Sequence, residues 1–336
     1  MPNSRSQTEG HLIEVVGLKK YFETRSSILA RMRAKARKPI RAVDGVSFHI
    51  DRGEGLGLIG ESGCGKTTTA MLLLRLINPS AGKIFFGGLE LTSMNARALR
   101  VARRRMQMVF QDPYESLNPG KRVSSLIAEP LVVHRLGGDN RQRENMITGI
   151  MEQMGLVPAE ELVKRYPHEL SGGQRQRVAI ARALILRPVF IIADEPTSML
   201  DVSVRAGILN LLRSLRDEMR LGSLFITHDL ALARYMCERI AVLYNGKIVE
   251  TAKREDLLVN PIHPYTRALV AVASSLSEFW TRKQGLIKEL DTDWVELPDG
   301  CCRFHPRCPH QHCDCERQEP ELVEVGREHW VACHRV

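Results

Sequence analysis

The sequence predicts an α/β fold with an inserted helical subdomain and a small cysteine-rich module at its C-terminal end. Three observations carry this. A short apolar strand, Gly55 to Ile59, runs through a glycine-rich turn straight into an apolar helix. Helical spacing dominates from Val123 to about Leu186, between two strand-rich stretches. Six of the eight cysteines crowd between Cys301 and Cys333. At 336 residues the chain has room for one large domain and an appendage.

Leu12 to Leu18 and Ala42 to Ile50 alternate apolar and polar residues, as half-buried strands do, and a basic stretch separates them. The helix after the glycine-rich turn is expected over Thr68 to Ile77, and Met106 to Phe110 reads as a strand ended by the polar segment Gln111 to Pro119. The helical stretch is interrupted at Gly137 to Asn140, near Pro158 and at Pro167 to Gly173. Strands and helices then alternate: strand Val189 to Ala193, helix Val202 to Met219, strand Ser223 to Thr227, a helix from Leu230, and a hairpin at Asn245-Gly246. The pattern weakens over 274–297, a linker. The expected division is an α/β core over 1–273 with its helical subdomain at about 112–187, the linker, and a module over 298–336.

The composition, 43% hydrophobic and 26% charged, excludes a disordered or fibrous chain. No apolar run approaches the roughly 18 to 20 residues of a membrane span. The first residues lack the apolar stretch of a secretory signal, so the chain is expected to stay in the cytosol. The net charge of +9 is local, since Arg25, Arg31, Arg33, Lys35, Arg37, Lys38 and Arg41 against one acid, Glu23, supply about two thirds of it. That concentration argues against nucleic acid and for a solvated basic insertion or contact with anionic lipid.

Gly60-Glu-Ser-Gly-Cys-Gly-Lys-Thr67 fits the phosphate-loop pattern between a predicted strand and helix. Gly60, Gly63 and Gly65 let backbone N–H groups converge on phosphate, with Ser62, Cys64 and Thr68 completing the lining. Lys66 is placed to hold the β and γ phosphates and Thr67 to ligate Mg²⁺. The apolar strand before Asp194-Glu195 puts both acids at a sheet's carboxyl edge, where Asp194 can orient the metal and Glu195 can act as general base toward water. His228, ending the next strand, can present a neutral donor to the γ-phosphate.

Leu170-Ser-Gly-Gly-Gln-Arg-Gln-Arg177, lying between those two motifs, resembles the signature of ABC-type ATPases. The resemblance implies ATP as substrate, an ABC-type P-loop ATPase core, and a composite site in which Ser171, Gly172, Gly173 and Gln174 cap the nucleotide held by a second subunit. Gln111 then matches the Q-loop glutamine, a Mg²⁺ and water ligand, and Ser198-Met-Leu-Asp201 matches the D-loop, bringing Asp201 to the site. Phe22, or else Tyr21, is the aromatic expected to stack on adenine.

Val109 to Pro119 and Asn260-Pro-Ile-His-Pro-Tyr-Thr-Arg-Ala-Leu269 resemble the ATP-binding subunits of oligopeptide and dipeptide importers. That implies a subunit peripheral to the cytoplasmic face of the plasma membrane. Its partners are two permeases, a second ATPase subunit forming a paralogous heterodimer, and a periplasmic or extracellular solute-binding protein. The cargo is peptide, with nickel complexes or another solute as alternatives, and a soluble ABC ATPase of DNA repair or translation as the reading from another class.

The intervals between Cys302, Cys308, Cys315 and Cys333 are five, six and seventeen residues. Structural zinc sites more often use pairs about two to four residues apart. The importer resemblance implies a [4Fe–4S] cluster on these four cysteines, leaving Cys301 and Cys313 as extras. Zinc completed by His305, His310, His312 or His334, or free thiols, are the alternatives.

Overall fold

In the computed structural model, residues 10–23, 39–273 and 300–336 are described. The basic residues Arg25 to Lys38 and the linker 274–297 lie outside them. The strands are β1 (Ile13–Phe22), β2 (Ile40–Ile50), β3 (Gly55–Ile59), β4 (Ala81–Phe86), β5 (Leu89–Glu90), β6 (Met106–Val109), β7 (Phe190–Asp194), β8 (Gly222–Thr227), β9 (Arg239–Tyr244), β10 (Lys247–Lys253), β11 (Val323–Gly326) and β12 (His329–Val331). The described residues group into two units, one within Met1–Ile13, Ile50–Glu54 and Phe86–Phe225, the other within Glu14–His49, Gly55–Phe85 and Ile226–Val336.

In the second of these units, β3 is buried along its whole length and pairs in parallel with β9, from Leu56 opposite Arg239 to Ile59 opposite Val242. A strand buried on both faces needs an unbroken apolar run, which is what Leu-Gly-Leu-Ile provides. β9 turns back through Asn245 and Gly246, at φ 43 and 80, into antiparallel β10. Positive φ at both turn residues matches the twist of a two-residue hairpin. β12 then pairs with β10, and β11 with β12. Phe304 and Cys308 from the C-terminal stretch share one core with Tyr244, Val249, Leu257 and Tyr265. β2, β1 and β4 lie side by side in a separate sheet.

The helix entered from the phosphate loop spans Lys66–Leu73, shorter than the expected reach to Ile77. Arg75 adopts φ 52, with its N–H donating to Leu72 O and that of Leu76 to Met71 O. This left-handed closure satisfies the last carbonyls and ends the helix.

In the other unit, β6 runs parallel to β7, from Met106 opposite Phe190 to Val109 opposite Ala193. Helices Val123–Val133, Asn140–Gln153, Ala159–Leu162 and Gly172–Leu184 occupy the stretch read as helical. Their starts are chemically marked: Asp139 accepts from the Gln142 N–H at 2.8 Å, and Ser171 and Gln174 form a reciprocal capping box. Helix Val202–Met219 has the predicted bounds. β4, β5 and helix Ala96–Arg104 were not expected from periodicity.

Glu250 on β10 is fully buried and gathers three segments. It accepts from the N–H groups of Ile262 and His263 at 2.9 and 2.8 Å, and its Oε1 lies 2.7 Å from His329 Nε2 on β12. Burial drives the His263 pKa down to about 3, so this ring stays neutral, and its Nδ1 accepts the Tyr265 N–H at 3.1 Å. Glu250→Ala strands these donors in the core and is expected to cost about 3 kcal/mol or more in denaturant unfolding, with Glu250→Gln costing less.

Candidate nucleotide site

The phosphate loop begins where β3 ends. A Cβ on Gly60 would lie 2.2 Å from Leu243 O, and one on Gly65, at φ 109, 2.2 Å from Ala42 O. Both positions therefore require glycine for close backbone approach. From behind, the Gly246 N–H donates to Cys64 O at 2.8 Å, so the β9–β10 turn braces the loop. Gly65 is the N-cap of helix Lys66–Leu73, which aims its unpaired N–H groups and dipole at the loop.

Lys66 is buried, and its ammonium donates to the carbonyls of Gly60 and Glu61 at 2.7 and 2.8 Å. Ser62, Gly63 and Thr67 are exposed and Thr68 is half-buried, so the loop's mouth is open. Cys64 is buried; burial raises its thiol pKa, and the nearby Lys66 charge only partly offsets that. It is packing rather than a reactive group.

Of the two candidate aromatics, Tyr21 donates its hydroxyl to Asp44 Oδ1 at 2.5 Å. Burial and that bond raise its pKa to about 12. Burial opposes the charge of Asp44, but the Tyr21 hydroxyl and Arg303 outweigh it and hold the carboxyl below its usual range. Phe22 is 40% exposed at the strand's end, with the Lys20 ammonium 5.0 Å from its ring centre. His228 is exposed at the end of β8, and Asp229 beside it caps the following helix through the Ala231 N–H.

In the other unit Asp194 is buried at the end of β7 and Glu195, at φ 43, is half-buried. The Gln111 amide donates to Glu195 Oε2 at 3.4 Å, bringing together two residues 84 positions apart. Glu195 O accepts from the Ser198 N–H and hydroxyl at 3.1 and 3.0 Å, which ties the acid to the segment leading to Asp201. Ser171 accepts from the Gln174 N–H at 3.3 Å, and a Cβ on Gly173 would lie 2.6 Å from Val204 Cγ1. The start of the signature helix thus packs on the helix that follows Asp201.

Sequence reasoning missed Glu61, Asp44, Tyr265, Arg303 and Arg307. The Arg307 guanidinium makes a two-pronged contact with Glu61 at 2.8 and 2.9 Å, and Arg303 reaches Asp44 and the Asn245 carbonyl. These partners lie far apart along the chain and no local pattern announces them.

The family described as ABC transporter matches residues 43–198, and that of the oligopeptide/dipeptide transporter C-terminal region matches 249–315. The chain is 43% identical over 332 residues to the oligopeptide transport ATP-binding protein AppF of Bacillus subtilis, covering 96% of this chain and 97% of that one. It is 45% identical over 329 residues, 98% and 99% of the two chains, to a Brucella ovis protein provisionally named a peptide import ATP-binding protein. Among solved structures it is similar to the dimeric ABC transporter cassette MJ0796, at 29% identity and a TM-score of 0.63, covering 72% of this chain and 98% of that one. The chain belongs to the ABC transporter family, as an ATP-binding protein of its oligopeptide/dipeptide branch. Its core is accordingly an α/β ATPase cassette that binds ATP.

The glycine constraint is testable. Gly65→Ala forces either the φ 109 backbone or the Ala42 carbonyl to move, and a fluorescent ATP analogue is expected to bind at least about tenfold more weakly.

Proposed function

We propose that this chain is the ATP-hydrolysing subunit of a membrane importer, coupling ATP hydrolysis to the uptake of di- or oligopeptides. The observation that carries this is similarity along nearly the whole length to peptide and oligopeptide transport ATP-binding proteins, over a chain that holds every phosphate-site motif. The relatives' names favour peptide over nickel complexes as cargo.

Each residue then has a task. Lys66 leaves the Gly60 and Glu61 carbonyls for the β and γ phosphates, and the loop's N–H groups receive the remaining oxygens. Glu195 takes a proton from the attacking water, held in place by Gln111 and by the Ser198 contacts, while His228 donates to the γ-phosphate. Phe22, exposed at the strand's end, stacks on adenine, since the Arg41 guanidinium lies over the Tyr21 ring. Thr67, Gln111 and Asp194 offer the hard oxygen donors that suit Mg²⁺, which neutralises phosphate charge when bound. Ser171, Gly172, Gly173 and Asp201 serve the nucleotide of a second ATPase subunit, for which a paralogue is the expected partner. MJ0796, the similar cassette, is dimeric. Among the described residues no helix is long and apolar enough to cross a membrane. The assembly proposed is therefore peripheral, on the inner face, beneath two permeases fed by a solute-binding protein.

The core proposed for 1–273 carries helices at about 112–187, and 298–336 forms the cysteine module. There Cys302, Cys308 and Cys333 have raised thiol pKa values, Cys302 to about 12, first from burial and then partly from one another and Cys315. The Cys302 N–H donates to Cys315 O at 2.8 Å. Four neighbouring buried or half-buried thiols fit a soft metal group that exchanges their protons for metal–sulfur bonds. Cys313 is exposed beside His312 and Asp314, and His334 contacts Gln318 O at 2.8 Å. We assign a structural [4Fe–4S] cluster to Cys302, Cys308, Cys315 and Cys333, in preference to zinc.

Glu195→Gln is expected to keep ATP binding, slow hydrolysis by about 10²-fold or more, and abolish uptake of labelled peptide by cells carrying the transporter. Uptake of peptide unchanged in that strain would remove the assignment. Protein purified without oxygen is expected to be brown, absorb near ~400 nm and hold about four irons per chain. Colourless protein with one zinc per chain would overturn the cluster.

A further inference from the structure

Glu61 is the first variable residue of the phosphate loop, and it is held twice from the C-terminal third of the chain. Its N–H donates to the Tyr265 hydroxyl at 3.0 Å. Its carboxylate takes both prongs of the Arg307 guanidinium, at 2.8 and 2.9 Å. Arg307 is itself positioned: it closes the short turn His305–Arg307, its guanidinium carbon lies 5.8 Å from the Tyr244 ring centre, and the next residue, Cys308, is in the core. Tyr244, Tyr265 and Phe304 pack against one another with centroids 4.8 to 5.7 Å apart, so both groups that grip Glu61 stand on one aromatic cluster.

We propose that Arg307 is a positioning residue for ATP binding, which keeps the phosphate loop open to the nucleotide by fixing Glu61 and masking its charge. This rests on the reading of Gly60 to Thr67 as the ATP site.

Two physical effects act in the same direction. A loop whose N–H groups converge before the anion arrives does not have to be ordered by it, and ordering loops and side chains is a main cost of binding. Glu61 also puts a negative charge on a loop built for a polyanion. A two-pronged arginine neutralises that charge and fixes its direction, which a lysine would do without the fork. The pair is partly exposed, at 27% for Arg307 and 45% for Glu61, so its contribution to overall stability is small. Its effect falls instead on the loop, because Glu61 also supplies one of the two carbonyls that hold Lys66.

The test uses the full-length chain, purified without oxygen, with ATP affinity read from a fluorescent analogue and KM and kcat read in the assembled transporter. Arg307→Gln is expected to weaken ATP binding and raise KM by about tenfold, with kcat within about twofold of wild type. Arg307→Lys should recover part of the loss. In a Glu61→Gln background, Arg307→Gln should cost about twofold or less, because the charge it masks is gone. Should Arg307→Gln cost the same factor in both backgrounds, the effect does not pass through Glu61 and the proposal fails. It fails equally if Arg307→Gln leaves affinity unchanged, or lowers kcat with KM intact. Damage to the cysteine module is separated by the Glu61 variants, which leave residues 300–336 untouched. Failure of wild type to bind ATP would overturn the nucleotide reading beneath it, whereas ATP binding that is lost in Lys66→Ala but indifferent to Arg307 would overturn this proposal alone.

Discussion

Backbone N–H groups can hold a phosphate only if the loop that carries them is fixed from behind. That constraint organises much of the unit around β3. The loop leaves a strand buried along its length, so its starting point cannot shift without disturbing the core. Leu243 O and Ala42 O approach Gly60 and Gly65 so closely that no side chain fits. The glycines are thus needed because other backbone lies against them as well as for their own dihedral freedom. The β9–β10 turn adds a direct bond from the Gly246 N–H to Cys64 O, and its type I′ shape follows from Asn-Gly.

A second helix start, the one proposed to cap a partner's nucleotide, obeys the same rule with different chemistry. At the start of helix Gly172–Leu184 the Ser171 hydroxyl accepts the Gln174 N–H, and the Gln174 side chain accepts the Ser171 N–H. That reciprocal cap occupies Ser171 and Gln174 but leaves the N–H groups of Gly172 and Gly173 at positions that have no partner within a helix. Gly173 has no room for a side chain because Val204 closes over it. Glycine there keeps the signature helix tight against the helix after Asp201, so the order of the two motifs in sequence becomes a packed pair in space.

Motifs whose chemistry is local were legible. Gly60 to Thr67, the apolar run into Asp194-Glu195 and the serine and glycines of Ser171 to Gly173 at a helix start each declare their geometry within a few residues. The strand β4 was not legible, because Ala81 to Phe86 carries Gly82, at φ 88, as its second residue and breaks the apolar alternation there. The helix from Lys66 was read four residues too long because nothing in Leu74-Arg75-Leu76 announces the left-handed Arg75. Offset from Leu18 ranks Phe22 before Tyr21, but the bond that ties the Tyr21 hydroxyl to Asp44, brought in on a different strand, has no signal in the local sequence. The Glu61–Arg307 pair spans 246 residues, and a contact at that separation exists only once the whole unit has folded.

The C-terminal stretch is too small to stabilise itself by burial alone, as domains below roughly 40 residues generally are. It contributes Phe304 and Cys308 to a core made mostly by β9, β10 and the helix from Pro264, and β12 adds to β10. Its polar anchors are placed where that docking happens: Arg303 on Asp44 and the Asn245 carbonyl, Lys247 on Glu319, and Arg307 on Glu61. Glu61 belongs to the phosphate loop, and Asn245 belongs to the turn whose Gly246 N–H meets that loop at Cys64 O. Arg307 thus attaches this stretch and also holds a residue of the Gly60–Thr67 loop, while Arg303 reaches the turn behind it. Loosening this stretch would free the Glu61 carboxylate from Arg307, so the docking of the C-terminal residues and the setting of the loop are tied through one ion pair.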